Sequence, residues 1–137
     1  MPMRGLLADA NIEGHIGRLL ARFETDAWHE LWAGLSLATA SFASLSLPRN
    51  ISDMDLWRIC QARELVLITA NRNADGPDSL EASIRAFNTP DCLPVVTIAD
   101  ADRILADGAY AEKVAEQLIE YLYDIENYRG AGRLYVP

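Results

Sequence analysis

Cysteine and lysine are both scarce in this chain of 137 residues. Its two cysteines, Cys60 and Cys92, form no CxxC pair and join no Cys/His cluster. That argues against a disulfide framework or a thiolate zinc site, and for free thiols in a reducing compartment. Lys113 is the single lysine; the other eleven of the twelve basic residues are arginine. With 20 acidic residues the formal net charge is -8, so the chain repels phosphate backbones at long range and strong non-specific DNA binding is not expected. A carboxylate metal centre is compatible with that balance, because it adds negative charge itself and a bound ion reverses the sign locally. No apolar run approaches the ~20 residues of a membrane span. The opening MPMRGLLADANIEG lacks the long apolar stretch and small-residue cleavage site of a signal peptide, so the expected location is the cytoplasm. Repeats, low-complexity tracts and linkers are also missing, and half of the residues are hydrophobic. One globular domain over residues 1–137 is the expectation.

What is present is an alternation of short apolar runs with helical patterns, the signature of an α/β domain on a mainly parallel sheet. RGLLA (Arg4 to Ala8) reads as a first strand, followed by a helix from Ile12 to about Phe23 with Ile12, Ile16, Leu19, Leu20 and Phe23 on one face. TDAWHELWAGLS reads as a second helix capped by Thr25. ASFASLSL alternates as a second strand, and Ser52 with Asp55 resembles a capping box opening SDMDLWRICQA. LVLITA (Leu65 to Ala70) is the clearest buried strand. Asp78 with Glu81 marks a helix start running to about Phe87, and PVVTIA (Pro94 to Ala99) is the fourth strand. A long helix from Tyr110 to about Asn127 carries Val114, Leu118, Leu122 and Ile125 as its stripe and stops at Gly130. RLYVP reads as a fifth, edge strand.

Ligands of open parallel sheets bind beyond the carboxyl ends of the strands. Here the first strand ends at Asp9 with Asn11 two residues on, the third at Asn71 and Asn73, and the fourth at Asp100 with Asp102 beyond. Asp53 and Asp55 open the helix after the second strand. Magnesium and manganese take hard oxygen ligands, which Asp9 and Asp100 supply if their strands are neighbours. The same acids also suit turns and N-caps, the amides suit a tight turn, and Arg72 and Arg103 suit either phosphate or surface ion pairs. His15 and His29 fall within helical patterns, and Trp28, Trp32 and Trp57 read as core or partner-facing anchors.

In order and spacing, LLADANIEGHI, SDMDLWRICQA, ELVLITANRN and PVVTIADADR resemble the PIN-like family, in particular the short bacterial PIN-like proteins of toxin–antitoxin pairs. The resemblance covers most of residues 4–103. It implies a three-layer sandwich and an endoribonuclease dependent on Mg²⁺ or Mn²⁺. Asp9 would be the first metal ligand, Asp53 the acid opening the helix, and Asp100 a later acid of the site. Asn71 and Asn73 would complete the metal set, while Asn11, Arg72 and Arg103 would meet RNA. The family's strand-end loop usually reads Thr-x-Asp-x-Asp, whereas Thr69-Ala70-Asn71-Arg72-Asn73 has amides in both acid places. That lowers the charge available to an ion unless Asp75 or Asp78 folds back over Gly76-Pro77. A second reading is a non-catalytic module in which DAWHELW meets an antitoxin-like protein or a second copy of the chain. A phosphoacceptor receiver or a dehalogenase-type phosphatase fits less well, because Asn71 replaces the acceptor and Asp9-Ala10-Asn11 offers one acid.

Overall fold

The structure, a computed structural model, describes residues 2–70 and 79–137. Asn71, Arg72, Asn73, Asp75 and Asp78 lie outside the described residues, and so do the expectations placed on them. The strands are β1 (Gly5–Ala8), β2 (Ala38–Ala40), β3 (Leu65–Thr69), β4 (Val95–Ile98) and β5 (Arg133–Val136). They form one sheet in the order β2-β1-β3-β4-β5, with every neighbouring pair parallel. The helices are α1 (Glu13–Phe23), α2 (His29–Leu35), α3 (Asp53–Ala62), α4 (Leu80–Phe87), α5 (Ala101–Ala106) and α6 (Gly108–Tyr123). The chain therefore has the expected α/β class, and β5 lies at one edge.

Period-two alternation sorts the strand side chains into two cores. Leu6, Val66, Ile68, Val96, Ile98 and Val136 pack against α1, α5 and α6. Leu7, Leu65, Leu67 and Val95 pack against α3 and α4. Because helices cover both faces, β3 is buried at every residue, which is why it reads as a continuous apolar run rather than an alternating one. At the sheet's other edge β2 lies so close to β1 that a Cβ on Gly5 would stand 2.3 Å from the Ala38 carbonyl oxygen. Among the described residues, no helix is long and apolar enough to cross a membrane.

The windings divide the faces unevenly. The connections β3–α4–β4 and β4–α5–α6–β5 move in the same direction along the sheet but cover opposite faces, so they have opposite hands. The other two connections share the hand of the first, which makes the last one the exception to the usual rule for parallel crossovers. On the α3/α4 face β5 is covered in part by side chains. There Arg133, with only 6 % of its side chain exposed, bonds Glu81 of α4 and the Thr97 hydroxyl of β4.

Several boundaries differ from the expectation, each for a local reason. The second strand is Ala38–Ala40, sharing only Ala40 with the alternating ASFASLSL. Within that segment Ser41 and Ser44 exchange side-chain–backbone hydrogen bonds of 2.8 and 3.0 Å, and Ser46 takes a positive φ of 55°. Such bonds compete with a sheet ladder. Thr25 does not cap α2; its hydroxyl turns back to the Arg22 carbonyl. Ser79 caps α4 by accepting from the Ala82 N–H. Ser52 caps α3 as expected, accepting from the Asp55 N–H. The long C-terminal helix begins earlier and stops at Tyr123, with a 3-10 turn following at Ile125–Tyr128. The short α5 was not anticipated.

Candidate functional site

The chain leaves β1 for α1 on one face and leaves β3 for α4 on the other. The β1/β3 boundary is thus the switch point of the sheet, where ligands of such folds bind. Asp9 stands there. Its N–H donates to the Ile68 carbonyl at 2.8 Å, and its carboxylate accepts from the Ala10 N–H at 2.7 Å and the Thr69 hydroxyl at 2.9 Å. Thr69 is fully buried, so this contact fixes the carboxylate at the rim. Neutral donors leave the carboxylate's charge intact, and among the described residues no basic side chain pairs with Asp9.

Asp53 belongs to the same side of the sheet. It lies in the first turn of α3, where a helix dipole favours an acid, and it accepts from the Leu80 N–H at the start of α4 at 3.2 Å. One acid therefore tethers two helix N-termini beside the rim that Asp9 occupies. At that start of α4 two hydroxyls are buried, Ser79 and Ser83, the latter donating to the Ser79 carbonyl at 2.9 Å.

Asp100 is placed differently. Strand β3 stands between β1 and β4, so the ends of those strands are two spacings, ~10 Å, apart. Asp100 caps α5 by accepting from the Arg103 N–H at 3.3 Å, and its own N–H donates to the Tyr110 hydroxyl at 3.1 Å. Asp102 pairs with His15 of α1 at 2.8 Å. These contacts set Asp100 and Asp102 over the α1/α5/α6 layer, whereas Asp9 and Asp53 lie with α3 and α4. The same rim holds all four acids, but it does not gather them in one cluster. Arg103 is committed on the Asp100 side, its guanidinium over the Tyr110 ring at 4.7 Å and paired with Asp107 at 3.1 Å. Asn11 is exposed in the 3-10 turn after Asp9.

The donor chemistry of Asp9 and Asp53 suits a hard cation, since Mg²⁺ is commonly held by one or two carboxylates with water filling the remaining positions. Among the described residues, no group of three or more His, Cys, Asp or Glu side chains assembles into a metal cage. Asp9 and Asp53, which share the α3/α4 side of the rim, are the described carboxylates that would hold such an ion.

Both cysteines are free. Cys60 is buried on α3, and burial first, with the Asp9 carboxylate second, pushes its thiol up to about 12. Sequence reading gave no hint of this, because nothing local to Cys60 announces a carboxylate from β1. A thiol held so far above neutrality is a poor nucleophile. Ellman titration of the native protein at pH 8 is expected to count one fast thiol, Cys92, with Cys60 reacting only on unfolding. Two equally fast thiols would contradict the placement of α3 over the Asp9 strand.

Comparison with known proteins gives no match to any protein-family model, curated protein or solved structure.

Proposed function

We propose that the chain is a PIN-like ribonuclease of reduced charge, in which Asp9 and Asp53 hold one Mg²⁺ or Mn²⁺ at the β1/β3 switch point. The observation that carries the reading is the Asp9 carboxylate, fixed by buried Thr69 at the sheet's ligand-binding boundary and left without a cationic partner among the described residues. A bound ion supplies a more acidic water and stabilises charge on a phosphodiester. The protein's part is positional. Thr69 orients Asp9, and Asp53 keeps the N-termini of α3 and α4 turned toward the same rim, where backbone N–H groups favour anions. Asp100 acts outside this centre, as the cap of α5. Calorimetric titration of the wild type with Mn²⁺ should show one ion per chain. Single-stranded RNA should be cut internally in Mn²⁺ and spared in EDTA. A wild-type protein that takes up no Mn²⁺ and leaves RNA intact removes the proposal.

A second reading, a surface for another protein, is favoured by α2, which buries none of its residues. Trp28 and Trp32 are half-buried against Phe23, but Leu31 and Tyr123 beside them are 47 % and 50 % exposed. Light scattering over a concentration series tests self-association through this patch; a mass that stays monomeric throughout counts against a homodimer.

A further inference from the structure

The loop after β2 returns to the Asp9 segment through one side chain. Arg49 donates from one terminal nitrogen to Glu13 at 2.7 Å and from the other to the Ala10 carbonyl at 2.8 Å. Its side chain is nevertheless 66 % exposed. We infer that Arg49 is a phosphate-binding residue, holding the RNA backbone beside Asp9; the inference rests on the ribonuclease reading above.

The argument is one of position and readiness. A guanidinium has five N–H donors, and the two contacts of Arg49 leave the rest of the fork open to solvent. Those contacts also fix the side chain before any ligand arrives, so less rotamer freedom is lost on binding. The planar fork matches phosphate oxygens in pairs. Three other arginines are committed elsewhere. Arg103 serves Asp107 and Tyr110 at α5 and α6, Arg129 is held between Glu64 and Glu126, and Arg133 is buried against Glu81. In a chain of net charge -8, a guanidinium bonded one residue beyond Asp9 is well placed to offset the repulsion of an incoming backbone. Glu13 has the opposite effect, holding part of that positive charge.

A loop clamp alone would also explain the two contacts, so the test separates the roles. Steady-state cleavage of a single-stranded RNA oligonucleotide in Mn²⁺ is measured across a salt series for wild type, Arg49→Ala, Arg49→Lys and Glu13→Gln, with melting curves to confirm folding. Arg49→Ala should raise KM about tenfold, the loss of one charge-assisted contact, with kcat nearly unchanged as for uniform binding. Its salt slope should fall by roughly 0.7, one phosphate's share on a single strand. Arg49→Lys should restore the slope but only part of the KM. Glu13→Gln should lower KM, since it frees the guanidinium. Unchanged KM and slope in Arg49→Ala overturn the inference. So does a Glu13→Gln variant whose KM rises together with Arg49→Ala, because a clamp weakened at either end would do that. A wild type without RNA cleavage overturns the ribonuclease reading itself, and is seen before any variant is compared.

Discussion

If the chain is the Mn²⁺-dependent ribonuclease proposed above, Asp9→Asn is expected to leave a folded protein that binds Mn²⁺ on the order of 10² times more weakly and cuts RNA roughly 10²–10³ times more slowly. A metal contributes several kcal/mol of transition-state stabilisation, and each 1.36 kcal/mol is a factor of ten in rate. The substitution changes charge and little else. An asparagine oxygen still accepts from the Thr69 hydroxyl or the Ala10 N–H, the two donors that fix Asp9, and the amide displaced from the other costs about 1 kcal/mol. Calorimetry with Mn²⁺ checks the binding and thermal melting checks the fold. Identical isotherms for wild type and Asp9→Asn would end the assignment of Asp9 as a ligand. A second, independent consequence is spectroscopic: with the Asp9 charge gone, one contribution to the raised Cys60 thiol disappears, while burial keeps that thiol slow.

Phe23→Ala is expected to destabilise the protein by roughly 3–5 kcal/mol, the usual loss when a fully buried aromatic becomes a cavity. Phe23 closes α1 at 0 % exposure. It stacks on Trp32 at 5.0 Å and 16°, and meets Trp28 edge-on at 5.8 Å. Trp28 in turn donates to Glu112 of α6 at 3.1 Å, beside the Arg22–Glu112 pair. Removing the central ring therefore loosens the seating of the α2 segment on α1 and α6. Thermal melting should show Tm lower by roughly 10–15 °C, and tryptophan emission should shift to the red as two indoles gain solvent. Phe23→Leu keeps most of the volume and should lose chiefly the aromatic pairing, about 0.5–1.5 kcal/mol per pair. An unchanged melt with unchanged emission would contradict the packing of this corner.

Strand β3 was legible because a run buried on both faces is apolar at successive positions, Leu65 to Ile68, with Thr69 its one polar residue. The amphipathic stripe of α1 was legible because Ile16, Leu19 and Phe23 recur at helical spacing. The segment after β2 misled, since serines alternating with apolar residues satisfy a strand pattern while their hydroxyls prefer local bonds. Thr25 misled in the same way, its hydroxyl donating back to the Arg22 carbonyl. The strand-end acids were found as a set, but pleat parity and strand order split them. Asp9 continues the parity of Leu7 toward α3 and α4, and Asp100 that of Ile98 toward α1, α5 and α6.

By itself the sequence determined that short apolar runs and amphipathic helices alternate, that acids close the first and fourth strands, and that the chain carries a strong negative charge. Those properties depend on neighbours within a few residues. Only the tertiary structure decided which acids share a rim side, that Arg49 reaches Ala10 across 39 positions, and that Asp9 perturbs Cys60. Such contacts arise from sheet order and crossover geometry, which no local spacing encodes.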